Sequence, residues 1–284
     1  MSKGLLDPKV DFVFKNIFGS PNHPEILISF LNATLKAKKK IVNVDIKKTD
    51  IEKQYIEDKY SRLDVKATTS NDEIINIEIQ LKNENNMVKR SLYYLSKMYE
   101  EQLNEKEDYS KLVRTVCINI LNFKYLKTDN FHTGYRFKEI ESNEELTDIM
   151  EVHFIEIPKL QDSSDEKDML VAWTEFLKDP ESEKVRGLEL SIEEIRQAKD
   201  ELIRMSNDST QRELYDMRAN SLRDKMSELN AAERKRIEKG REEGREEGRK
   251  EEKIKIARNM KLSGLDINTI AKITNLSEDE IDKL

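Results

Sequence analysis

RLDVKATTSNDEIINIEIQLK, residues 62–82, alternates apolar and polar side chains on both sides of the polar turn TSND. Successive strand residues point to opposite faces, so such alternation predicts a β-hairpin with one apolar and one polar face. Leu63, Val65, Ala67, Ile75, Ile77, Ile79 and Leu81 form the apolar set. Arg62, Asp64 and Lys66 share the polar face with Asn76, Glu78, Gln80 and Lys82. An odd register slip would bring Ile77 among the charges, so opposed residue numbers must add to an even value. A sum of 142 sets Asp64 opposite Glu78 and Lys66 opposite Asn76, whereas 140 or 144 leaves the two acids diagonal. Two facing carboxylates are destabilising. Protonation, basic neighbours or a cation between them would relieve this, and a hard divalent ion such as Mg²⁺ suits one or two carboxylates plus water and phosphate. On spacing alone, a salt-bridged solvated sheet face accounts for the same residues.

Around this hairpin the chain alternates in type. DPKVDFVFKNIFG (7–19) places apolar residues at 10, 13, 14, 17 and 18, one stripe of a helix. HPEILISFLNATLK (23–36) continues as a second helix, and KIVNVDIKK (40–48) alternates as a strand. NNMVKRSLYYLSKMYEEQL (85–103) is helical, with Met87, Leu92, Leu95, Met98, Tyr99 and Leu103 as its apolar positions. KLVRTVCINILNF (111–123) is the most apolar strand and is expected at the sheet centre, and VHFIEIPKL (152–160) supplies another. Helices are expected near 165–178, 191–206 and 209–230. EKGREEGREEGRKEEK (238–253) follows, with Gly240, Gly244 and Gly248 at a four-residue period. Each glycine costs a helix about 1 kcal/mol, and Glu–Arg pairs at i,i+3 with Glu246–Lys250 at i,i+4 return roughly 0.2–0.5 kcal/mol each. A solvated helical linker follows, with self-association along the glycine row as the alternative.

LDINTIAKITNLSEDEIDKL (265–284) reads as two short helices, the second with a Ser277–Glu280 capping box. Ile267, Ile270, Ile273, Leu276, Ile281 and Leu284 are its expected contact. Glu278, Asp279, Glu280 and Asp282 would repel phosphate if this helix entered a DNA groove. A protein-contacting hairpin is therefore favoured. The organisation is a core over 1–165, a helical extension over 166–232, a charged linker over 233–260 and a hairpin over 261–284.

Composition sets further bounds. The 284 residues are 38% charged, with net charge -7. Residues 1–125 nevertheless hold 21 Lys+Arg against 18 Asp+Glu, and Lys36, Lys38, Lys39, Lys40, Lys47 and Lys48 stand against one acid, Asp45. One cysteine, Cys117 in an apolar run, excludes a disulfide framework and a cysteine zinc site. No signal peptide or membrane-length apolar run is visible, so a cytoplasmic protein without a membrane partner is expected. His23, His132 and His153 lack partners at ligand spacing, and no phosphate-binding glycine loop appears.

The order helix–strand–strand–strand–helix–strand, with acids on the second and third strands, resembles the PD-(D/E)XK nuclease superfamily. DPKVDFVFKNIFG, RLDVKA, IEIQ, RSLYYLSKMYEEQL and the tail EEGREEGR with IAKITNLSEDEI together resemble the Rpn group of recombination-promoting nucleases and transposases. The resemblance spans nearly the whole chain and is most specific over 7–123. It implies an α/β fold, a PD-(D/E)XK restriction-endonuclease-like core (αβββαβ, mixed sheet) with an α-helical C-terminal extension. The implied activity is hydrolysis of DNA phosphodiesters by a metal-dependent endonuclease linked to recombination or a mobile element. Carried over by position, Asp64 and Glu78 become the ligands of Mg²⁺, for which Mn²⁺ would substitute. Gln80 stands where the superfamily has a lysine that assists the attacking water, although Gln is the Rpn group's own habit. Asp11 matches an accessory acidic position, and Lys66 or Lys82 would supply the missing positive charge. Lys38, Lys39, Lys40, Lys89 and Arg90 are the expected phosphate contacts on double-stranded DNA, while Tyr93 and Tyr94 read first as core. The rival readings are a catalytically silent DNA-binding protein derived from a transposon, and a scaffold that forms homo-oligomers through its C-terminal helices.

Overall fold

The computed structural model describes residues 4–47, 65–83, 85–165 and 167–284. Val65–Thr69 (β2) and Ile74–Gln80 (β3) pair antiparallel, with Lys66 opposite Asn76 and Val65 opposite Ile77, so opposed numbers add to 142. The turn between them closes through Asp72, which adopts positive φ, a conformation that Asp tolerates better than most residues. Val65, Ala67, Ile75, Ile77 and Ile79 are all buried, as the alternation predicts. Val44–Lys47 (β1) adds antiparallel to β2.

Thr115–Leu121 (β4) runs parallel to β3 and to Glu145–Glu156 (β6), and with His132–Lys138 (β5) the sheet order is β1-β2-β3-β4-β6-β5. Every residue of β4 is buried, as expected of the central strand of a sheet covered on both faces. The edge strand β5 has no counterpart in the sequence expectation; most of its residues are exposed, so it carries little apolar periodicity. β6 also starts earlier than the 152–160 run, which itself ends in a 3-10 turn at Ile157–Lys159.

Asp11–Phe18 (α1) and Pro24–Leu35 (α2) precede the sheet, and all five stripe residues of α1 are buried. Phe14 stacks on Phe18, which meets Phe30 of α2 and Trp173 edge-on. Trp173 lies in Met169–Lys178 (α4) and is completely buried, its indole N–H donating to Ser29 Oγ at 3.2 Å. Glu183–Ser191 (α5), not expected from the sequence, and Glu193–Asn207 (α6) complete this layer. The other sheet face carries Met87–Glu100 (α3). Met87 and Leu95 pack there on Cys117, Leu121, Val152 and Phe154. The stripe expected for α3 is rotated in part: Ser91 and Tyr94 are buried, whereas Leu92 and Tyr93 are exposed.

The chain divides into two compact units, residues 1–220 and 221–284. Ser209–Leu262 (α7) is one continuous 54-residue helix that runs through Gly240, Gly244 and Gly248. In the second unit, Ile267–Thr274 (α8) and Glu278–Asp282 (α9) pack through Ile270, Leu276 and Ile281 on Ala257 of α7, and the Ser277–Glu280 capping box is present. Ile273, expected in that contact, is instead more than half exposed. Among the described residues no helix is long and apolar enough to cross a membrane.

Candidate active site

Glu78 lies on the polar face of β3, and α3 covers that face. Its carboxylate is 1% exposed, which is far from the solvated sheet face that spacing alone allows. Arg90, in the first turn of α3, donates from Nε to Glu78 Oε2 at 3.2 Å and lies 5.1 Å from the centroid of the buried Tyr94 ring. Glu78 Oε1 and the neighbouring Asn76 Oδ1 are buried and accept no hydrogen bond among the described residues. Burial pushes the Glu78 carboxyl up, and the charge and hydrogen bonds of Arg90 and Asn76 offset this only in part.

Around this pair the polar residues interlock. Asn119 is the β4 neighbour of Glu78 and accepts at Oδ1 from Ser91 Oγ at 2.8 Å, while its amide donates to the His153 carbonyl at 3.1 Å. Cys117 beside Asn76 is wholly buried, and burial lifts its thiol to about 12, so it stays protonated and unreactive. Two buried acceptors without donors, one of them a carboxylate oxygen, suit a hard cation with its water shell. Among the described residues no group of three His, Cys, Asp or Glu could hold a metal, so any cation here would rely on water and substrate oxygens for most of its shell.

Residues 8–232 match the model of the PD-(D/E)XK nuclease family transposases. The chain belongs to this family. Residues 250–284 match the Rpn/YhgA-like nuclease family C-terminal HTH domain, where charge alone had favoured a protein-contacting hairpin. No curated protein and no solved structure matches the chain.

For a member of this nuclease family, the expected site residues are dispersed. Asp64, with Arg62 and Leu63, lies outside the described residues. Gln80 ends β3 half-buried, and Lys82 just beyond it is likewise half-buried. Lys66 shares the face of Glu78 but reaches the far end of α3, 3.9 Å from Glu101. Asp11 accepts from Arg218 of α7 at 2.9 Å, and no contact between Asp11 and Glu78 is present among the described residues. Lys38, Lys39 and Lys40 are exposed. Their loop packs on the β2–β3 turn, with Val42 N–H donating to Ser70 Oγ. That turn is about 20 Å along β3 from Glu78, at roughly 3.3 Å per residue. Lys89 is exposed beside Arg90 at the Glu78 end.

The histidines correct the sequence expectation. His132 Nε2 and His153 Nδ1 lie 2.9 Å apart with their rings stacked, and His153 Nε2 lies 2.8 Å from Glu151 Oε1. Glu151 also pairs with Arg114 and Arg136, and Arg114 bridges on to Glu73. Strand alternation puts Glu151 and His153 on one face, but the 21-residue gap to His132 closes only through the β5–β6 pairing. Burial, then the proximity of His153, lowers His132 to about 4. The folded state therefore binds fewer protons than the unfolded chain, whose histidine titrates near 6.5, and stability is lost as pH falls between those values. Denaturant unfolding is expected to show about 2 kcal/mol less stability at pH 5 than at pH 7.5 from this residue. His132→Gln should flatten that dependence; an equally steep slope in the variant would remove His132 as its source.

Proposed function

We propose that the chain hydrolyses DNA phosphodiesters at the Glu78 end of the β2–β3 hairpin, as a Mg²⁺-dependent endonuclease in which Mn²⁺ substitutes. The observation that carries this reading is the buried Glu78 carboxylate with one unpartnered oxygen, in a chain of the PD-(D/E)XK nuclease family transposases. Asp64 lies outside the described residues, and the family resemblance makes it the partner of Glu78. Asp64 and Glu78 would then hold the cation. Bound there, Mg²⁺ supplies an acidified water and neutralises charge growing on the phosphate. Gln80 has no basic group to take a proton and no charge to lend, so its role is to orient water by hydrogen bonding. Lys82 and Lys89, near the same end, suit phosphate contact, and Lys38–Lys40 would meet the duplex farther along. Asp11 serves as an accessory only if it leaves Arg218, and Lys66 only if it leaves Glu101. A role in recombination or mobile-element movement, in the cytoplasm, is part of this proposal.

A second reading, a silent DNA-binding protein, is favoured by Gln80 in the lysine position and by the match to an HTH domain. Self-association along α7 is a further proposal, for which truncation after residue 235 and sizing in solution is the check. The deciding experiment is cleavage of supercoiled plasmid with Mg²⁺, with EDTA, and by Asp64→Ala. Nicking that needs both metal and Asp64 is the expected result. Tight, steeply salt-dependent binding without cleavage by folded protein would establish the silent reading instead.

A further inference from the structure

Arg90 holds one carboxylate oxygen of Glu78, beside the oxygen left open for a divalent cation. Its Nε donates to Glu78 Oε2 at 3.2 Å, so a carboxylate that is 1% exposed already carries a positive partner. The arginine side chain is 26% exposed, which sets it between the buried carboxylate and solvent. Its backbone is fixed in the first turn of α3, with Arg90 N–H donating to Asn86 at 2.9 Å, but the side chain has four rotatable bonds. The aromatic face of Tyr94, 5.1 Å from the guanidinium carbon, offers a second favourable surface to a cation that leaves the carboxylate. A guanidinium and a divalent ion on one carboxylate repel each other, and in a buried site that repulsion is weakly screened.

We propose that Arg90 is an exchangeable counter-ion: it neutralises Glu78 while the site is empty, gives way when the metal binds, and then engages a DNA phosphate beside the cut. This rests on the reading of Glu78 as a metal ligand. It gives the buried carboxylate a positive partner while no metal is bound, and it couples metal loading to substrate capture through one side chain. Arginine suits both partners, since its planar donors match carboxylate and phosphate alike.

The test is titration of the full-length protein with Mn²⁺, followed by electron paramagnetic resonance, for the parent, Arg90→Gln, Arg90→Lys and Glu78→Gln. Circular dichroism confirms that each is folded. Arg90→Gln is expected to bind Mn²⁺ at least about fivefold more tightly, because the competing charge is gone. Arg90→Lys, which keeps the charge, should stay near the parent. In the second readout, DNA affinity of Arg90→Gln measured in Ca²⁺ at several salt concentrations should fall, with a salt slope shallower by about one. Unchanged or weaker Mn²⁺ binding by Arg90→Gln, with Glu78→Gln losing it, overturns the counter-ion role and leaves the metal site standing. Mn²⁺ binding that Glu78→Gln does not alter overturns the metal site itself, and the proposal with it.

Discussion

Glu78→Gln is expected to cut DNA on the order of a hundredfold more slowly than the parent, or not at all, and to melt at a higher temperature. The two effects share one cause. Burial raises the Glu78 carboxyl above its ordinary 4.5, so the folded protein holds that proton more tightly than the unfolded chain does. Stability therefore falls as pH rises from about 4.5 through the folded value, as the buried carboxyl takes on its charge. Glutamine keeps the shape and removes the charge. Arg90 loses its partner, but its side chain is 26% exposed and water can take over. Melting curves at pH 7.5 and pH 4 check the assignment: the variant should lead at pH 7.5, and the gap should close at pH 4. A variant that melts below the parent at pH 7.5 would mean that the Arg90 pair outweighs the burial.

Trp173→Ala is expected to cost about 3–5 kcal/mol, the usual range for removing a large buried aromatic. Trp173 is fully buried and joins three helices, with ring contacts to Phe18, Phe30 and Phe176 and a hydrogen bond to Ser29. The cavity left would open between helices that are themselves held by those rings, so little collapse can fill it. Trp173→Phe retains most of the volume and should lose well under half as much. Denaturant unfolding of both variants measures this, and an alanine variant within about 1 kcal/mol of the parent would show that α4 does not hold α1 and α2 in place. Because α1 closes on the sheet beside Val65, where Gly19 packs, the same variant should also weaken the hairpin's support.

Much of the fold follows from local pattern. The α1 stripe is buried position for position because a 3.6-residue period leaves one face to hide. The capping box at Ser277 is present because it needs only residues three apart. The edge strand β5 and the helix α5 escaped for the complementary reason: exposed residues write no periodicity. The aromatic joint of Phe18, Phe30 and Trp173 escaped as well, since its members are up to 155 positions apart.

At the candidate site the division is sharper. The sequence by itself determined the hairpin, the two faces and an even register, because an odd slip would have put Ile77 among charges. It also carried the family pattern that singles out Glu78. Only the tertiary structure decided between the even registers, choosing the sum of 142. It also decided what lies over the polar face. α3 settles there, turns Glu78 from a surface acid into a buried one, and brings Arg90 to it across 12 residues of chain. The physical reason is that burial and pairing belong to whatever element covers a face, and strand periodicity identifies the face without naming its cover.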